Sequence, residues 1–384
     1  MMGSVLHNAS AVLPDGLVED SVIVISDGLI QPRIATGLGS GESYDCSGLK
    51  VMSGFIDVHI HGAKGIDVNS TDADGLFEMA KFLATKGVTA WVPTLVPDSD
   101  ENYKRIILAI DRLMEMQIGK PVAQAVGVHY EGVFANEKMC GALRPEYFKK
   151  FPTNQLSELP RLKRGVHMTT FAPEVDGGVG LASELKHQGW VASIGHTSAD
   201  LDTLNKAFAA GARHVTHFFN AMTHLHHRDV GVVGWALANS DVTFDIIADG
   251  VHVHPAMLEF ACRTKTPNKV SLISDSVAPT GMGDGTFDLW GEKITIEDRK
   301  TQNERGSIAG SVITMLDAVD RMLSMGFSYV DVAKMASHNP AKLLRIDDER
   351  GSIATGKRAD IVAIDVNGDP KLVMIGGQLV LDDR

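Results

Sequence analysis

The sequence predicts an α/β fold: a (β/α)₈ TIM-like barrel with a small β-sandwich domain built from both chain ends. Between residues 51 and 349, short apolar segments alternate with segments long enough for a crossover helix. The first fifty residues and the last thirty-five read instead as short strands joined by turns. No G-x-G-x-x-G pattern follows the first strand, which disfavours an open doubly wound sheet. We therefore predict two domains, residues 51–349 for the barrel and residues 1–50 with 350–384 for the sandwich.

Eight candidate strands follow one another along the barrel segment. The first, at 51–59, precedes a helix predicted from about residue 71 to 86 and ended by Gly87. The second, at 89–96, precedes a helix with one apolar face, formed by Ile106, Ile107, Ile110, Leu113 and Met114. The other six strands are predicted at 125–129, 167–172, 191–194, 214–217, 243–248 and 271–274. Residues 313–344 then read as helices.

The composition excludes several classes of protein. The 384 residues include 36 basic and 48 acidic side chains, a formal net charge of −12, which argues against binding to nucleic acid or to an anionic membrane surface. No apolar run approaches the ~20 residues that cross a bilayer, and the N-terminal residues lack the pattern of a secretory signal. The 3 cysteines form no C-x-x-C pair. We expect a cytoplasmic protein without disulfides or a thiolate zinc site.

Six acidic or imidazole side chains fall where the predicted strands end, the face on which barrel enzymes carry their active sites. A lone histidine at a strand end is more often a hydrogen-bonded structural residue, but six such groups in register favour a metal site. Imidazole and carboxylate are ligands for zinc and similar divalent ions, and such an ion activates water at neutral pH. The six candidates are His59, His61, Glu131, His196, His217 and Asp275.

Two further clusters follow predicted strands six and seven. Residues 217–228 combine Asn220, four histidines and Arg228, donor groups that suit a phosphate or carboxylate, although a solvated polar loop is the alternative. Residues 249–255 could place His252 over the same pocket as an electrophilic donor. We read His129, His167 and His214, among other histidines, as structural or surface residues.

Several of these segments together resemble the N-acetylglucosamine-6-phosphate deacetylase family of the amidohydrolase superfamily. They are residues 53–62 (SGFIDVHIHG), 129–132 (HYEG), 195–197 (GHT), 217–222 (HFFNAM), 248–252 (ADGVH), 274–276 (SDS) and 356–362 (GKRADIV). The resemblance runs nearly from end to end of the chain. It implies hydrolysis of the acetamide of N-acetyl-D-glucosamine 6-phosphate to glucosamine 6-phosphate and acetate.

The resemblance also implies a role for individual residues. Glu131, His196 and His217 would bind the principal divalent metal (Zn, Fe, Mn or Co), and Asp275 would be the general base. His59 and His61 are both present, so a second ion bridged by Glu131 is an open alternative. The remaining residues that the resemblance assigns would contact substrate: His252 at the acetyl carbonyl, Asn220, Ala221 and Arg228 at the phosphate, and Ala142, Ile308, Ala309 and Gly310 along the sugar. Arg228 commonly reaches across a dimer interface in this family, which implies a homodimer.

Three alternatives stay open at this point. Leu143 stands where members often have a histidine, so N-acetyl-D-galactosamine 6-phosphate is a second candidate substrate. A cyclic-amide hydrolase with a carbamylated lysine is disfavoured because predicted strand four ends in Phe171-Ala172-Pro173 without a lysine. A non-catalytic sugar-phosphate sensor is disfavoured by the intact set of ligands with Asp275.

Overall fold

The computed structural model describes residues 3–32, 41–151 and 155–384. The chain begins with five strands, β1 to β5, which turn signals such as Asp27-Gly28 separate. Their bounds are β1 (Ser4–Leu13), β2 (Gly16–Ser26), β3 (Leu29–Gln31), β4 (Glu42–Asp45) and β5 (Lys50–Ser53). These strands belong to a sheet that the chain completes only at its other end.

The barrel follows. Its elements are β6 (Phe55–Ile60), the short hairpin β7 (Gly62–Ala63) and β8 (Ile66–Asp67), α1 (Ala73–Thr85), β9 (Val88–Leu95), α2 (Asp100–Met116), β10 (Gln124–Ala125), β11 (Gly127–Phe134), β12 (Val166–Phe171), α3 (Gly178–His187), β13 (Val191–Ile194), α4 (Leu201–Ala210), β14 (His214–Val215), α5 (Gly231–Ala238), β15 (Thr243–Ile247), α6 (Pro255–Lys265) and β16 (Val270–Ile273). The parallel order is β6-β9-β11-β12-β13-β14-β15-β16, and β10 also pairs with β9. This confirms the predicted barrel.

Side-chain and backbone hydrogen bonds close the barrel between its last strand and its first. The backbone N–H of Asp275 donates to the carbonyl of His59 at 2.9 Å, and that of His61 donates to Ser276 at 2.8 Å. Below them the buried carboxylate of Asp57 accepts the Ser274 hydroxyl at 2.5 Å. Closure therefore joins the end of β6, where two candidate ligands lie, to the residue predicted as the general base.

Helices around the barrel form where the sequence predicts amphipathic segments. The hydroxyl of Ser99 caps α2 by accepting the N–H of Asn102, and the side chains of Ile106, Ile110 and Leu113 on that helix are buried. Short 3₁₀ helices at Glu137–Met139, Pro145–Tyr147, Gln155–Glu158 and Pro267–Lys269 connect other elements. Among the described helices, none is both long and apolar enough to cross a membrane.

Two parts of the strand prediction were wrong. The segment predicted as one strand at 51–59 is two, because β5 joins the end sheet, whereas β6, which begins after Gly54, pairs with β9 of the barrel. Glu131 was placed just past the third barrel strand, yet it lies inside β11, which continues to Phe134. Buried strands end at the limit of their pairing, and apolar runs mark that limit poorly.

The sequence analysis also missed a three-stranded antiparallel insert after β16. Its strands are β17 (Gly285–Leu289), β18 (Glu292–Glu297) and β19 (Lys300–Asn303). Leu289 and Ile294 pack with Val277, Ala278 and Ala309 into a small core of their own, separate from the barrel core. The insert thus rests on the end of the barrel that carries the candidate ligands.

The chain then returns to the end sheet. Helices α7 (Met315–Ser324), α8 (Tyr329–Ala333) and α9 (Asn339–Leu344), with a π-helical turn at Lys334–His338, agree with the helical reading of 313–344. Strands β20 (Ile361–Ile364), β21 (Pro370–Ile375) and β22 (Gln378–Asp382) complete the sheet β22-β21-β20-β5-β1-β2-β3, with β4 beside β1. Strands from both ends form a separate sheet domain, while the exact boundaries at 50 and 350 stay a prediction; β5 crosses the first of them.

Candidate active site

The backbone directs three of the six candidates inward by an unusual conformation. His196, His217 and Asp275 each lie two residues beyond the end of a barrel strand and have φ values of 48°, 33° and 48°. Left-handed φ is rare for residues other than glycine and costs about 1–3 kcal/mol each, and it persists mainly at functional sites. The same left-handed turn follows β13, β14 and β16. The fold therefore accepts a loss of stability at these three residues, and in return their side chains point into the site.

The imidazoles of His59 and His61 meet as the alternation of a strand predicts. Their Nε2 atoms are 3.1 Å apart, and both side chains are buried at the end of β6. Nε2 of His196 and Nε2 of His217 form a second pair, 3.0 Å apart. Two facing imidazole nitrogens need a proton or a cation between them, because their lone pairs otherwise repel.

Glu131 lies between the two pairs. Its Oε1 is 3.1 Å from Nε2 of His196 and 3.1 Å from Nε2 of His217, while its Oε2 is 3.2 Å from Nε2 of His61. Oδ1 of Asp275 completes the cluster, 3.4 Å from Nε2 of His59 and 3.3 Å from that of His61. The donors form two candidate metal groups, one of His59, His61 and Asp275, the other of Glu131, His196 and His217.

Outer contacts fix which ring nitrogen His61 and His196 present. Nδ1 of His196 lies 2.8 Å from the carbonyl of Met139, and Nδ1 of His61 lies 3.2 Å from that of Thr94. A carbonyl can only accept, so both Nδ1 atoms carry the proton and both Nε2 atoms are free to bind a cation. This pattern of a ligating imidazole held from behind is typical of metal sites.

The charges of the cluster favour a bound cation. Burial lowers the pKa of His61, but hydrogen bonds to Asp275 and Glu131 outweigh it and raise that pKa to about 10. Burial also lowers the pKa of His217, but the contact with Glu131 outweighs burial and raises that pKa to about 9. Burial works against a charged Glu131, yet the imidazoles, His59 foremost, hold its pKa well below the usual range. The carboxylates therefore stabilise positive charge at this position, as a divalent ion requires.

A cavity of about 310 Å³ opens over the cluster. His61, Glu131, His196, His217 and Asp275 line its floor. Six residues predicted to contact substrate line its walls: Ala142, Asn220, Ala221, His252, Ile308 and Gly310. Gly310 has a φ of 60°, and a Cβ there would lie 2.9 Å from the backbone oxygen of Asp275, so the close approach of its loop requires glycine.

Two residues predicted to contact substrate lie elsewhere in the single chain. Arg228 is exposed, with Nη1 2.8 Å from Nε2 of His227, and does not line the cavity. Ala309 is buried in the core of the insert, behind the cavity wall. Leu143, where the resemblance leads one to expect a histidine, does line the cavity and is buried.

His252 is held by a carboxylate that the sequence analysis did not single out. Its Nδ1 lies 2.7 Å from Oδ2 of Asp249, whose Oδ1 accepts the N–H groups of Val251 and His252 at 2.8 Å. Burial raises the pKa of Asp249, but its contacts with His252 outweigh this and lower it, so the carboxylate is charged. Asp249 thereby fixes the ring of His252 and leaves Nε2 for a ligand.

Trp290, at the turn between β17 and β18, also lines the cavity. Its ring centroid lies 5.2 Å from that of His61 in an edge-on contact. The sequence analysis missed this residue, although alternating residues on both sides of Trp290-Gly291 are a hairpin signal that could have placed it at a tip. Asp57 was missed as well, even though its spacing of two from His59 puts both on one face of the strand.

The amidohydrolase family profile matches residues 51–380. The chain belongs to the amidohydrolase family. Among relatives of this amidohydrolase, an N-acetylglucosamine-6-phosphate deacetylase of Bacillus subtilis (strain 168) is 32% identical over 332 residues, 86% of this chain and 84% of the relative. An N-acetylgalactosamine-6-phosphate deacetylase of Escherichia coli O157:H7 is 32% identical over 381 residues, 98% of this chain and 99% of the relative.

A solved structure extends the comparison to the whole fold of the amidohydrolase. It is a point mutant of N-acetyl-D-glucosamine-6-phosphate deacetylase from Mycobacterium smegmatis, in complex with N-acetyl-D-glucosamine-6-phosphate. The TM-score is 0.90 at 27% identity, covering 99% of this chain and 100% of that one. Amidohydrolases are metal-dependent, and the buried histidines and carboxylates of this chain fit such an ion.

Proposed function

We propose that this amidohydrolase hydrolyses the acetamide of N-acetyl-D-glucosamine 6-phosphate to D-glucosamine 6-phosphate and acetate. The observation that carries the proposal is the convergence of four Nε2 atoms with Glu131 and Asp275 in one buried cluster, over which the cavity opens. The resemblance of the site segments to N-acetylglucosamine-6-phosphate deacetylases and the name of the Bacillus subtilis relative at 32% identity support the choice of substrate.

Asp275 is the proposed general base. Its Oδ1 lies at the cluster and on the cavity floor, within reach of a water molecule bound there. Burial raises the pKa of this carboxyl, but the charge of His59 and contact with His61 outweigh it and lower that pKa, so Asp275 is ready to accept a proton at neutral pH. It would then deliver this proton to the amine nitrogen, a leaving group that departs poorly as an anion.

Glu131, His196 and His217 would hold the principal divalent ion, with His59 and His61 available to a second. When bound, such an ion lowers the pKa of water and polarises a carbonyl oxygen. Contacts of Glu131 with both histidine pairs support a bridging role and hence two ions. Zn, Fe, Mn and Co all accept this set of nitrogen and oxygen donors.

His252 and Asn220 would orient the substrate. Asp249 holds Nδ1–H of His252, and in the imidazolium form of this ring Nε2 would donate to the acetyl oxygen as negative charge develops there. Asn220 and the backbone of Ala221 line the same cavity and offer N–H donors to the phosphate. Ala142, Ile308 and Gly310 would contact the sugar; a direct role for the buried Ala309 is confined to its backbone.

We further propose a homodimer in the cytoplasm. Arg228 is exposed and outside the cavity of its own chain, which is consistent with a guanidinium that completes the phosphate site of a second copy. Two results would support this arrangement. The protein should sediment as a dimer, and Arg228→Gln should lose the preference for the phosphorylated sugar over the same sugar without phosphate. A monomer with unchanged selectivity would contradict it.

The galactosamine epimer is the second candidate substrate, favoured by two observations. The relative from Escherichia coli that covers 98% of this chain is an N-acetylgalactosamine-6-phosphate deacetylase, and Leu143 removes a polar partner from the cavity wall. Acetate release from both epimers, measured side by side as kcat/KM with the metal-loaded protein, tests the proposal. A higher kcat/KM for the galactosamine epimer would replace the leading substrate, and binding of either sugar without acetate release would instead indicate a sensor.

A further inference from the structure

A second cleft lies at the opposite end of the barrel from the candidate active site. Its volume is about 510 Å³, and its walls include the first residues of three barrel strands, Val191, His214 and Thr243. Parallel strands all start at the same end of a barrel, so this cleft is on the N-terminal face. The cavity over the metal ligands belongs to the C-terminal face, and the two share no lining residue.

The cleft concentrates positive charge in an acidic protein. Five of the residues that line it are cationic, Lys186, Arg213, Lys269, Lys342 and Arg345, and Asp241 is the single carboxylate among its lining residues. The chain as a whole carries a net charge of −12. Like charges gathered in a concave site repel one another, so such a grouping lowers stability unless an anion binds there.

Three of these cations are not engaged by carboxylates. Among the described residues, Lys186, Lys269 and Lys342 take part in no ion pair within 4.0 Å, in contrast to the exposed Lys81 and Lys206, which pair with Glu78 and Asp202. A lysine ammonium without a carboxylate partner keeps its donors for solvent or for a ligand.

The other two of the five cationic side chains, Arg213 and Arg345, are held in place by their neighbours. The guanidinium of Arg213 lies 4.1 Å from the ring centroid of Phe208, and that of Arg345 donates to the carbonyl of Gly189 at 3.4 Å. Neither contact neutralises the charge. They restrict the side chains instead, which lowers the entropy lost when a ligand binds.

Burial, and then the positive charge of the cleft, lower the pKa of Lys265, a buried lysine beside it. The amino group of Lys265 donates to the carbonyl of Ala236 at 2.6 Å. Burial lowers its pKa, and the neighbouring ammonium of Lys269 lowers it further, to about 8. The effect of Lys269 on Lys265 agrees with an excess of positive charge on this side of the barrel.

The floor of the cleft is fixed by buried hydrogen bonds. Nδ1 of His214 lies 2.7 Å from the Thr243 hydroxyl, and its Nε2 lies 3.1 Å from Oδ2 of Asp245. Asp245 also accepts the backbone N–H of His217. Both nitrogens of His214 are therefore engaged, and recognition of a ligand is left to the cations of the rim.

We propose that this cleft is a binding site for a small phosphorylated anion. A compact dianion needs several converging cationic donors, and the cleft supplies five around a space large enough for a phosphate group with an attached sugar or for phosphate itself. The site is separate from the proposed catalytic reaction and does not depend on it.

Calorimetric titration of the metal-loaded protein at constant ionic strength tests the proposal. The two probes are inorganic phosphate and glucose 6-phosphate, which separate free phosphate from a phosphate ester. The test variant is Lys186→Gln/Lys269→Gln/Lys342→Gln. Its matched control, Lys81→Gln/Lys104→Gln/Lys206→Gln, removes three exposed charges outside the cleft. Any binding at the catalytic cavity is common to all three proteins and cancels in the comparison.

We expect saturable binding of at least one probe, weakened by roughly tenfold or more in the cleft variant and unchanged in the control. The exposed single variant Lys342→Gln should shift the affinity in the same direction by less, which guards against a folding defect in the triple variant. Equal affinity in the cleft variant and the parent would overturn the proposal. Equal weakening in cleft and control variants, or binding that does not saturate, would overturn it too.

Discussion

The indole Nε1 of Trp290 lies 2.9 Å from Oδ2 of Asp67, and this hydrogen bond holds the tip of the β17–β19 insert over His61. Asp67 ends β8, in the short hairpin beside the first two candidate ligands, so the bond joins the insert to the barrel. The insert thereby supplies a wall of the catalytic cavity that barrel strands alone would leave open.

Loss of this bond should loosen substrate binding. For Trp290→Phe, which keeps a ring but no N–H, we expect KM for the sugar phosphate to rise by roughly three- to tenfold with little change in kcat. Steady-state kinetics of acetate release measure both values. Trp235→Phe is the matched control, because Nε1 of Trp235 donates to Asn205 in a comparable bond outside the cavity. Equal effects of the two substitutions would contradict the role of Trp290.

Asp249→Asn should slow the reaction through His252. The substitution removes the charge that fixes the imidazole, so we expect kcat to fall by roughly 10- to 100-fold while bound metal per chain stays unchanged. Elemental analysis beside the kinetics separates the two effects. Asp202→Asn, at an exposed site, is the control. If Asp249→Asn lost bound metal in proportion to its loss of kcat, Asp249 would act by supporting the metal ligands and not by positioning His252 for the substrate.

Glu131→Gln should lose metal more readily than the parent. Glu131 contacts imidazoles of both candidate groups, and its replacement removes a ligand and a charge from each. After dialysis against a chelator, we expect metal affinity reduced by more than roughly 100-fold. Elemental analysis measures the metal that remains bound per chain and needs no substrate. The exposed Glu137→Gln should retain its metal, and retention by Glu131→Gln would refute the proposed bridge.

His167 should make the fold sensitive to acid. Burial, then the charge of Arg161, lowers its pKa to about 4, and its Nε2 accepts the N–H of Leu162 at 3.0 Å, which requires the neutral ring. The unfolded chain protonates this histidine near pH 6.5, so stability is full above that pH and falls as pH drops toward 4.

Urea unfolding at pH 7 and pH 5 measures this effect. The partly exposed ring reduces the full linkage value, and we expect His167 to account for about 1 kcal/mol of the loss in unfolding free energy between the two pH values. His167→Gln should show a correspondingly smaller loss. The comparison cancels any loss of metal in acid, which both proteins share, and identical losses would contradict the assignment.

Much of the barrel could be predicted because its signals are local. Apolar strands, helical periodicity and turn residues placed the strand from 191 to 194 at the bounds that β13 has, and period two placed His59 and His61 on one face. The clustering of His196 with His217 followed from the rule that strand ends converge. Metal and substrate roles for these residues stay predictions.

What sequence reasoning missed depends on tertiary contacts. Nothing local says that the hairpin tip at Trp290 reaches His61, or that residues 50–53 pair with Ile361–Ile364 and lie outside the barrel. The place of Arg228 is a further case, since an exposed residue gains a role only in an assembly with a second chain.

Asp275 is the residue on which the proposed deacetylation depends most directly. Acetate release from N-acetyl-D-glucosamine 6-phosphate should be readily measured in the metal-loaded parent and fall by roughly 10²–10⁴-fold in Asp275→Asn, with substrate still bound. Because Asp275 also belongs to one of the candidate metal groups, the ions retained by the variant are measured in the same samples. Full activity in Asp275→Asn, or no acetate release by the metal-loaded parent, would contradict the proposed deacetylation.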